Sequence, residues 1–253
     1  MSKPLIVFFA FIIFSECVRA QANNYSTKKL EAVCIVGSHV SDRYEERTEE
    51  IAEFLESHNV KVHRFYDGNN NWNRIKKAAE NSTFFIYSGH GTVLGLDGGF
   101  GGLVVDEFVS AQQIVDELKF KKDAIVIYQS ACGGAGSSAD DEEDIDLETA
   151  EERVVETATP FLLAGAKAYH ANNYFGGVLD FLENLFEGNT VNESYVNTAE
   201  MWNTIEKNTR LKNPRLPSIY NIGISSDKSE EYNVAYVGIP TFKLTELFLI
   251  SEK

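Results

Sequence analysis

Two short segments carry residue types that can do covalent chemistry together. Gly89-His90-Gly91 follows the apolar run Thr83 to Ser88 (TFFIYS), and Ser130-Ala131-Cys132-Gly133-Gly134 follows Asp123 to Gln129 (DAIVIYQ). A thiolate is an effective nucleophile at neutral pH, and a neighbouring imidazole can protonate a leaving amine and then activate water. The flanking glycines let the backbone approach a substrate carbonyl, and the amides of Gly91 and Cys132 could donate to its developing oxyanion. Taken singly, a cysteine is usually a small core residue and a histidine at a strand end a satisfied surface group. The functional reading rests on the pair, each member bracketed by glycine after an apolar run.

Positioning that pair requires both runs to be strands of one sheet. Ala32 to Gly37, Val60 to Tyr66, Thr83 to Ser88 and Asp123 to Gln129 read as buried strands. Between them, Arg43 to His58 (after a Ser41 cap), Trp72 to Glu80 and a Ser110-capped segment through Leu118 read as helices. Strand and helix in alternation imply an α/β fold with a mostly parallel sheet and helices on both faces. In such sheets ligands bind just beyond the carboxyl ends of the strands, where His90 and Cys132 would share a cleft. Further on, Thr159-Pro160 reads as a helix cap with proline at the first helical position, and Gly165 as that helix's stop. Lys167 to Ala171 reads as a strand. Val178 to Phe186 and Ala199 to Lys207 read as helices, and Pro217 to Ile224 and Val234 to Ile239 as closing strands. One domain, residues 30–253, accounts for all of this.

At these residues the chain resembles the caspase, metacaspase, legumain and gingipain superfamily of cysteine peptidases. Tyr87-Ser88-Gly89-His90-Gly91 is similar to the metacaspase form, and Gln129-Ser130-Ala131-Cys132-Gly133 to the caspase cysteine motif with one residue inserted. The separation from 90 to 132 is near the roughly 50 residues of the caspases. The resemblance implies a three-layer caspase-like sandwich, with Cys132 as nucleophile, His90 as general acid and base, and Gly91 and Cys132 as oxyanion donors. It places His39 where legumains carry an asparagine, which makes it a candidate to orient His90. Metacaspases have an aspartate of their basic-side-chain pocket at the position of Ser130, so a preference for Arg or Lys does not carry over. Hydrolysis of a peptide or protein substrate is the expected reaction. A catalytically silent binding or inhibitory module and a legumain-like transpeptidase are the alternatives.

Composition sets outer limits. The 253 residues include 43% hydrophobic ones, enough for a sizeable core, and a net charge of −15 disfavours nucleic acid and acidic membrane surfaces as partners. Lys3, the apolar run Leu5 to Phe14 and Val18-Arg19-Ala20 read as a signal peptide over residues 1–20, followed by an extension over 21–29. The expected product is a secreted chain with no membrane attachment after cleavage. Of the three cysteines, Cys17 leaves with that segment; Cys34 and Cys132 then either pair or leave a free thiol. Sequons begin at Asn24, Asn81 and Asn192, glycan sites if the host is eukaryotic. The acidic run Asp140 to Asp146 reads as a solvated segment, with a maturation cleavage loop or a Ca2+ site as sharper alternatives; it lacks the spacing of an EF-hand, and no metal or other cofactor is expected. Gly95 to Gly102 reads as a hairpin or flap beside the cleft. His58, His63 and His170 lack metal-ligand spacing and read as structural.

Overall fold

The computed structural model describes residues 30–244 except 67, 122 and 175. The segments read as signal peptide and extension, with the Asn24 sequon, lie outside the described residues. Strands β1 (Glu31–Val36), β2 (Lys61–Phe65), β3 (Phe84–Ser88), β6 (Ile125–Gln129) and β7 (Ala168–Asn172) run parallel. β8 (Thr204–Arg210), β9 (Asn221–Ser226) and β10 (Tyr232–Gly238) add an antiparallel extension, giving the order β2-β1-β3-β6-β7-β10-β9-β8. A short hairpin, β4 (Leu103–Val104) with β5 (Phe108–Val109), stands apart from the sheet.

Six helices are described: α1 (Asp42–Ser57), α2 (Trp72–Ala79), α3 (Ala111–Glu117), α4 (Leu147–Leu163), α5 (Gly177–Phe186) and α6 (Val191–Glu200). The central strands are buried on both faces, which is why they read as unbroken apolar runs. One set of their side chains, with Val33, Phe85 and Tyr128, packs on α2, α3 and α4. The alternate set, with Cys34, Ile86 and Ile127, packs on α1, α5 and α6. The result is a three-layer α/β sandwich with a mostly parallel sheet in the middle. Among the described residues no helix is long and apolar enough to cross a membrane.

Three local expectations are corrected. Ala199 to Lys207 is not a helix: α6 ends at Glu200 and β8 begins at Thr204. The apolar spacing there is short, and Thr204 to Arg210 forms an edge strand whose charged Glu206, Lys207 and Arg210 guard the open side. Thr159-Pro160 does not open a helix, because α4 already runs from Leu147 and carries Pro160 in its last turn. The loss of one N–H bond there is offset by burial of Phe161 and Leu162 in the core. Ser41 precedes α1, yet its side chain makes no capping bond, whereas Ser110 forms the full capping box with Gln113.

Candidate active site

Register brings the two motifs together. Ser88 pairs with Gln129 in the β3–β6 ladder, so the His90 and Cys132 loops leave the sheet side by side at its carboxyl edge. The two loops touch through backbone: a Cβ on Gly91 would lie 1.9 Å from the carbonyl oxygen of Cys132. Gly89 is equally confined, its would-be Cβ 2.7 Å from the Tyr87 hydroxyl. His90 and Cys132 line one cavity of about 580 Å³, walled also by Phe100 and Arg153. Among the described residues the backbone N–H groups of Gly91 and Cys132 donate to no carbonyl, while those of Gly133 and Gly134 are used by Ser137 and Ala131. Two unspent donors beside a thiol are the elements of an oxyanion hole.

His90 is oriented by backbone. Its Nε2 lies 3.1 Å from the carbonyl oxygen of His39, which sits at φ 65°, an uncommon conformation for a residue with a side chain. Nε2–H donates to that oxygen, which leaves Nδ1 as the nitrogen that accepts and returns a proton. The expected orienting role of His39 is therefore filled by its carbonyl. Ser130 is also left-handed, at φ 52°. Its N–H donates to Asn172 O and its hydroxyl to Asn173 O, and these bonds hold the turn that lifts Cys132 off β6.

Three buried tyrosines of adjacent strands lock the surrounding loops, a feature absent from the sequence reading. Tyr87 of β3 donates to His90 O at 2.8 Å and accepts from Val104 N. Tyr128 of β6 donates to Gly102 O, and Tyr169 of β7 to Gly134 O. Tyr87 and Tyr128 are register partners with rings 5.0 Å apart, and the ring of Tyr169 is 5.5 Å from that of Tyr128. Burial pushes all three phenols well above the ordinary tyrosine range, so they remain donors. A tyrosine inside each of three largely apolar runs was the available signal.

The glycine-rich segment does form a flap. Gly101 N donates to Thr92 O and Leu94 N to Gly101 O, and Phe100 packs on Gly133 so closely that a Cβ there would meet its ring at 2.1 Å. Arg153 of α4 lies over the Phe100 ring at 4.8 Å and grips Asp141 with two nitrogens at 2.8 Å. Burial alone would raise the Asp141 carboxyl, but Arg153 and the Ser138 N–H outweigh it and hold it below the usual range. The acidic run is thus only partly the solvated segment expected: Asp141 is clamped and Asp146 caps α4 through Thr149 N, while Glu142 to Asp144 are exposed.

A second cavity, also about 580 Å³, opens on the other side of Cys132, between Tyr44, Ser130, Tyr174 and the turn at Glu230 and Glu231. Tyr44, on α1, is shifted upward first by burial and then by the charge of Cys132.

Other candidate residues fall outside this site. Cys34 and Cys132 are both free thiols; Cys34 is fully buried inside β1, where desolvation pushes it up to about 12. His63 pairs with Glu31 at 2.8 Å, His58 packs between Phe54 and Phe186, and His170 stacks on Phe181, its pKa lowered by burial to about 3. Asn81 is exposed in a turn, but the Asn192 side chain accepts from the Tyr236 hydroxyl at 2.8 Å. Among the described residues no group of three or more His, Cys, Asp or Glu is placed to hold a metal ion.

No protein-family model and no curated protein matches the chain. Among solved structures, the crystal structure of protein GSU0716 from Geobacter sulfurreducens aligns with 12% identity and a TM-score of 0.42, covering 68% of this chain and 89% of that one.

Proposed function

We propose that this chain is a secreted cysteine endopeptidase that works through a Cys132–His90 dyad. The observation that carries the proposal is that His90, Gly91 and Cys132 line one cavity at the carboxyl edge of the sheet, with the amides of Gly91 and Cys132 donating to no carbonyl. A silent module would need none of these together.

In the proposed reaction Nδ1 of His90 takes the proton of the Cys132 thiol as the sulfur attacks the carbonyl carbon of the scissile bond. The electron pair moves to oxygen, where the Gly91 and Cys132 N–H groups receive it. Collapse of this intermediate breaks the C–N bond, and His90 delivers a proton to the departing amine. The acyl group remains on sulfur as a thioester. Water then attacks, His90 takes its proton, and the acid leaves as the thiol is restored. The same thioester could pass to an amine, so transfer is a branch of this mechanism and not a separate one. Secretion follows from the signal-peptide character of residues 1–20 and is part of the proposal.

The test is covalent. A peptidyl acyloxymethyl ketone should add once per chain, with intact mass and peptide mapping placing the adduct on Cys132, and Cys132→Ala should abolish it. Adduct on any other residue, or unchanged labelling of Cys132→Ala, removes the nucleophile assignment.

A further inference from the structure

We propose that a third cavity, at the carboxyl end of β7 on the α5 and α6 side of the sheet, binds a neutral saccharide. The cavity measures about 920 Å³ and is walled by Asn172 at the end of β7, Gly177 and Asp180 in the first turn of α5, Thr198 in the last turn of α6, and Trp202. Neither Cys132 nor His90 lines it, so the site stands whether or not the dyad is active. A polar wall separates it from the cavity beside Cys132: the Tyr174 hydroxyl donates to Asp227 Oδ2 at 2.9 Å and accepts from Asn233 Nδ2 at 3.3 Å.

Two polar atoms of this lining are buried without partners. Asn172 is 1% exposed, and the Tyr174 N–H donates to its Oδ1 at 2.8 Å. That bond fixes the amide, so the group left over is the Nδ2 donor, which reaches no acceptor. Gly177 makes room for it, since a Cβ there would meet Nδ2 at 2.1 Å. Thr198 is 2% exposed, and its Oγ1 has no partner either. Buried polar groups are nearly always paired, so two orphans lining one cavity mark positions that an occupant completes.

The remaining lining decides the chemistry of that occupant. Among the described residues Asp180, Glu200 and Asp227 line the cavity against one cation, Lys228. Asp227 is spent on Tyr174 and Asn233, whereas the carboxylates of Asp180 and Glu200 accept no hydrogen bond among the described residues. Burial raises the Asp180 carboxyl. A cation offers these walls only donors and leaves the Asn172 amide unmet, and an anion is repelled by the carboxylates. A hydroxyl donates to a carboxylate and accepts from an amide, so it satisfies both. Trp202 adds an apolar face, 67% exposed. Its loop is pinned, with Asn203 N donating to Ala199 O at 2.8 Å and Asn203 Nδ2 to Ser225 Oγ at 3.2 Å. Neutral molecules that carry hydroxyls around an apolar C–H face are saccharides. A peptide also has donors and acceptors, but it docks by pairing with a free strand edge, and β7 and β10 are already paired with each other where Asn172 and Val234 line the cavity. A volume of about 920 Å³ has room for a short oligosaccharide.

The experiment is calorimetric titration of the full chain with glucose, mannose, galactose and N-acetylglucosamine, and with cellobiose, mannobiose, lactose and chitobiose. At least one of them should bind saturably, and glucuronate should bind at least about tenfold more weakly than that sugar. Trp202→Ala should weaken the sugar about tenfold and Thr198→Val about three- to tenfold. Neither variant should lower the thermal midpoint, because Trp202 is exposed and the Thr198 hydroxyl has no bond to lose. A glycoprotein bearing N-linked mannose glycans, set beside the same polypeptide after glycan release, separates the sources: retention of the glycosylated form alone assigns a protein-borne glycan, and binding of the free sugars alone a free one. No saturable binding by any saccharide, free or protein-borne, overturns the site, as does an affinity unchanged in both variants. Tighter binding of tetramethylammonium or of a blocked trialanine peptide than of every sugar overturns the saccharide assignment. The labelling of Cys132 is a separate readout, so the peptidase proposal survives any of these failures.

Discussion

Cys34 and Cys132 belong to the same parallel sheet, two strands apart, and differ in one respect: Cys34 sits within its strand and Cys132 just past the end of its own. Within its strand Cys34 pairs with Arg64 on one side and Ile86 on the other, and its side chain is fully buried, so desolvation outweighs the nearby Arg64 charge and holds the thiol protonated, with a pKa of about 12. At the carboxyl edge the ladder stops and unspent amides and a histidine converge. Position along the strand, rather than residue type, separates an inert cysteine from a candidate nucleophile.

The contrast is sharpest under an identical substitution. Cys34→Asp should bury a carboxylate beside an Arg64 already taken up by Glu49 and Glu56 and cost about 3–5 kcal/mol or more, comparable with the whole stability of a typical domain. Cys132→Asp should stay within about 1 kcal/mol, because the site is partly open to water. Urea denaturation of both variants measures the gap, and equal losses would erase the distinction between middle and edge. A smaller effect is expected at the edge itself. Gly91→Ala must push the two loops apart against the Cys132 carbonyl, displacing an oxyanion donor, and should lower the probe-labelling rate constant by roughly 10²–10³ with the fold retained. Labelling at the parental rate would mean that close backbone contact is packing alone. The smallest effect falls on the tyrosines that tie edge to middle. Tyr87→Phe leaves His90 O and Val104 N without their bond and should cost about 1–3 kcal/mol by denaturation, with a slower labelling rate as the His90 loop loosens.

Much of the fold was legible because it is written locally. Phe84 to Tyr87 and Ala124 to Tyr128 are runs of apolar and aromatic residues, and the structure buries β3 and β6 throughout. Ser110 with Gln113 announces the start of α3 by capping chemistry. Legibility failed where long-range contacts overrode a local signal. Pro160 and Thr159 look like a helix start, but Phe161 and its neighbours bury the whole of α4 against the sheet. Thr204 to Arg210 has weak periodicity of either kind and becomes a strand only because β9 offers an unpaired edge. At the site, His90, Cys132 and Gly91 were readable from types and spacing. The part played by His39 was not, since it acts through a carbonyl that every residue possesses.

By itself the sequence determined the class of the sheet, the loops that leave its carboxyl edge, the residue types those loops carry and the acidity around one of them. These follow from periodicity, glycine placement and composition, which are properties of short segments. Tertiary structure alone decided that Ser88 pairs with Gln129, that Tyr87, Tyr128 and Tyr169 latch three separate loops, and that Asp144 and Glu231 line one cavity with Cys132. Each of those is a contact between segments tens of residues apart, set by strand register and backbone dihedrals, and no local pattern encodes it.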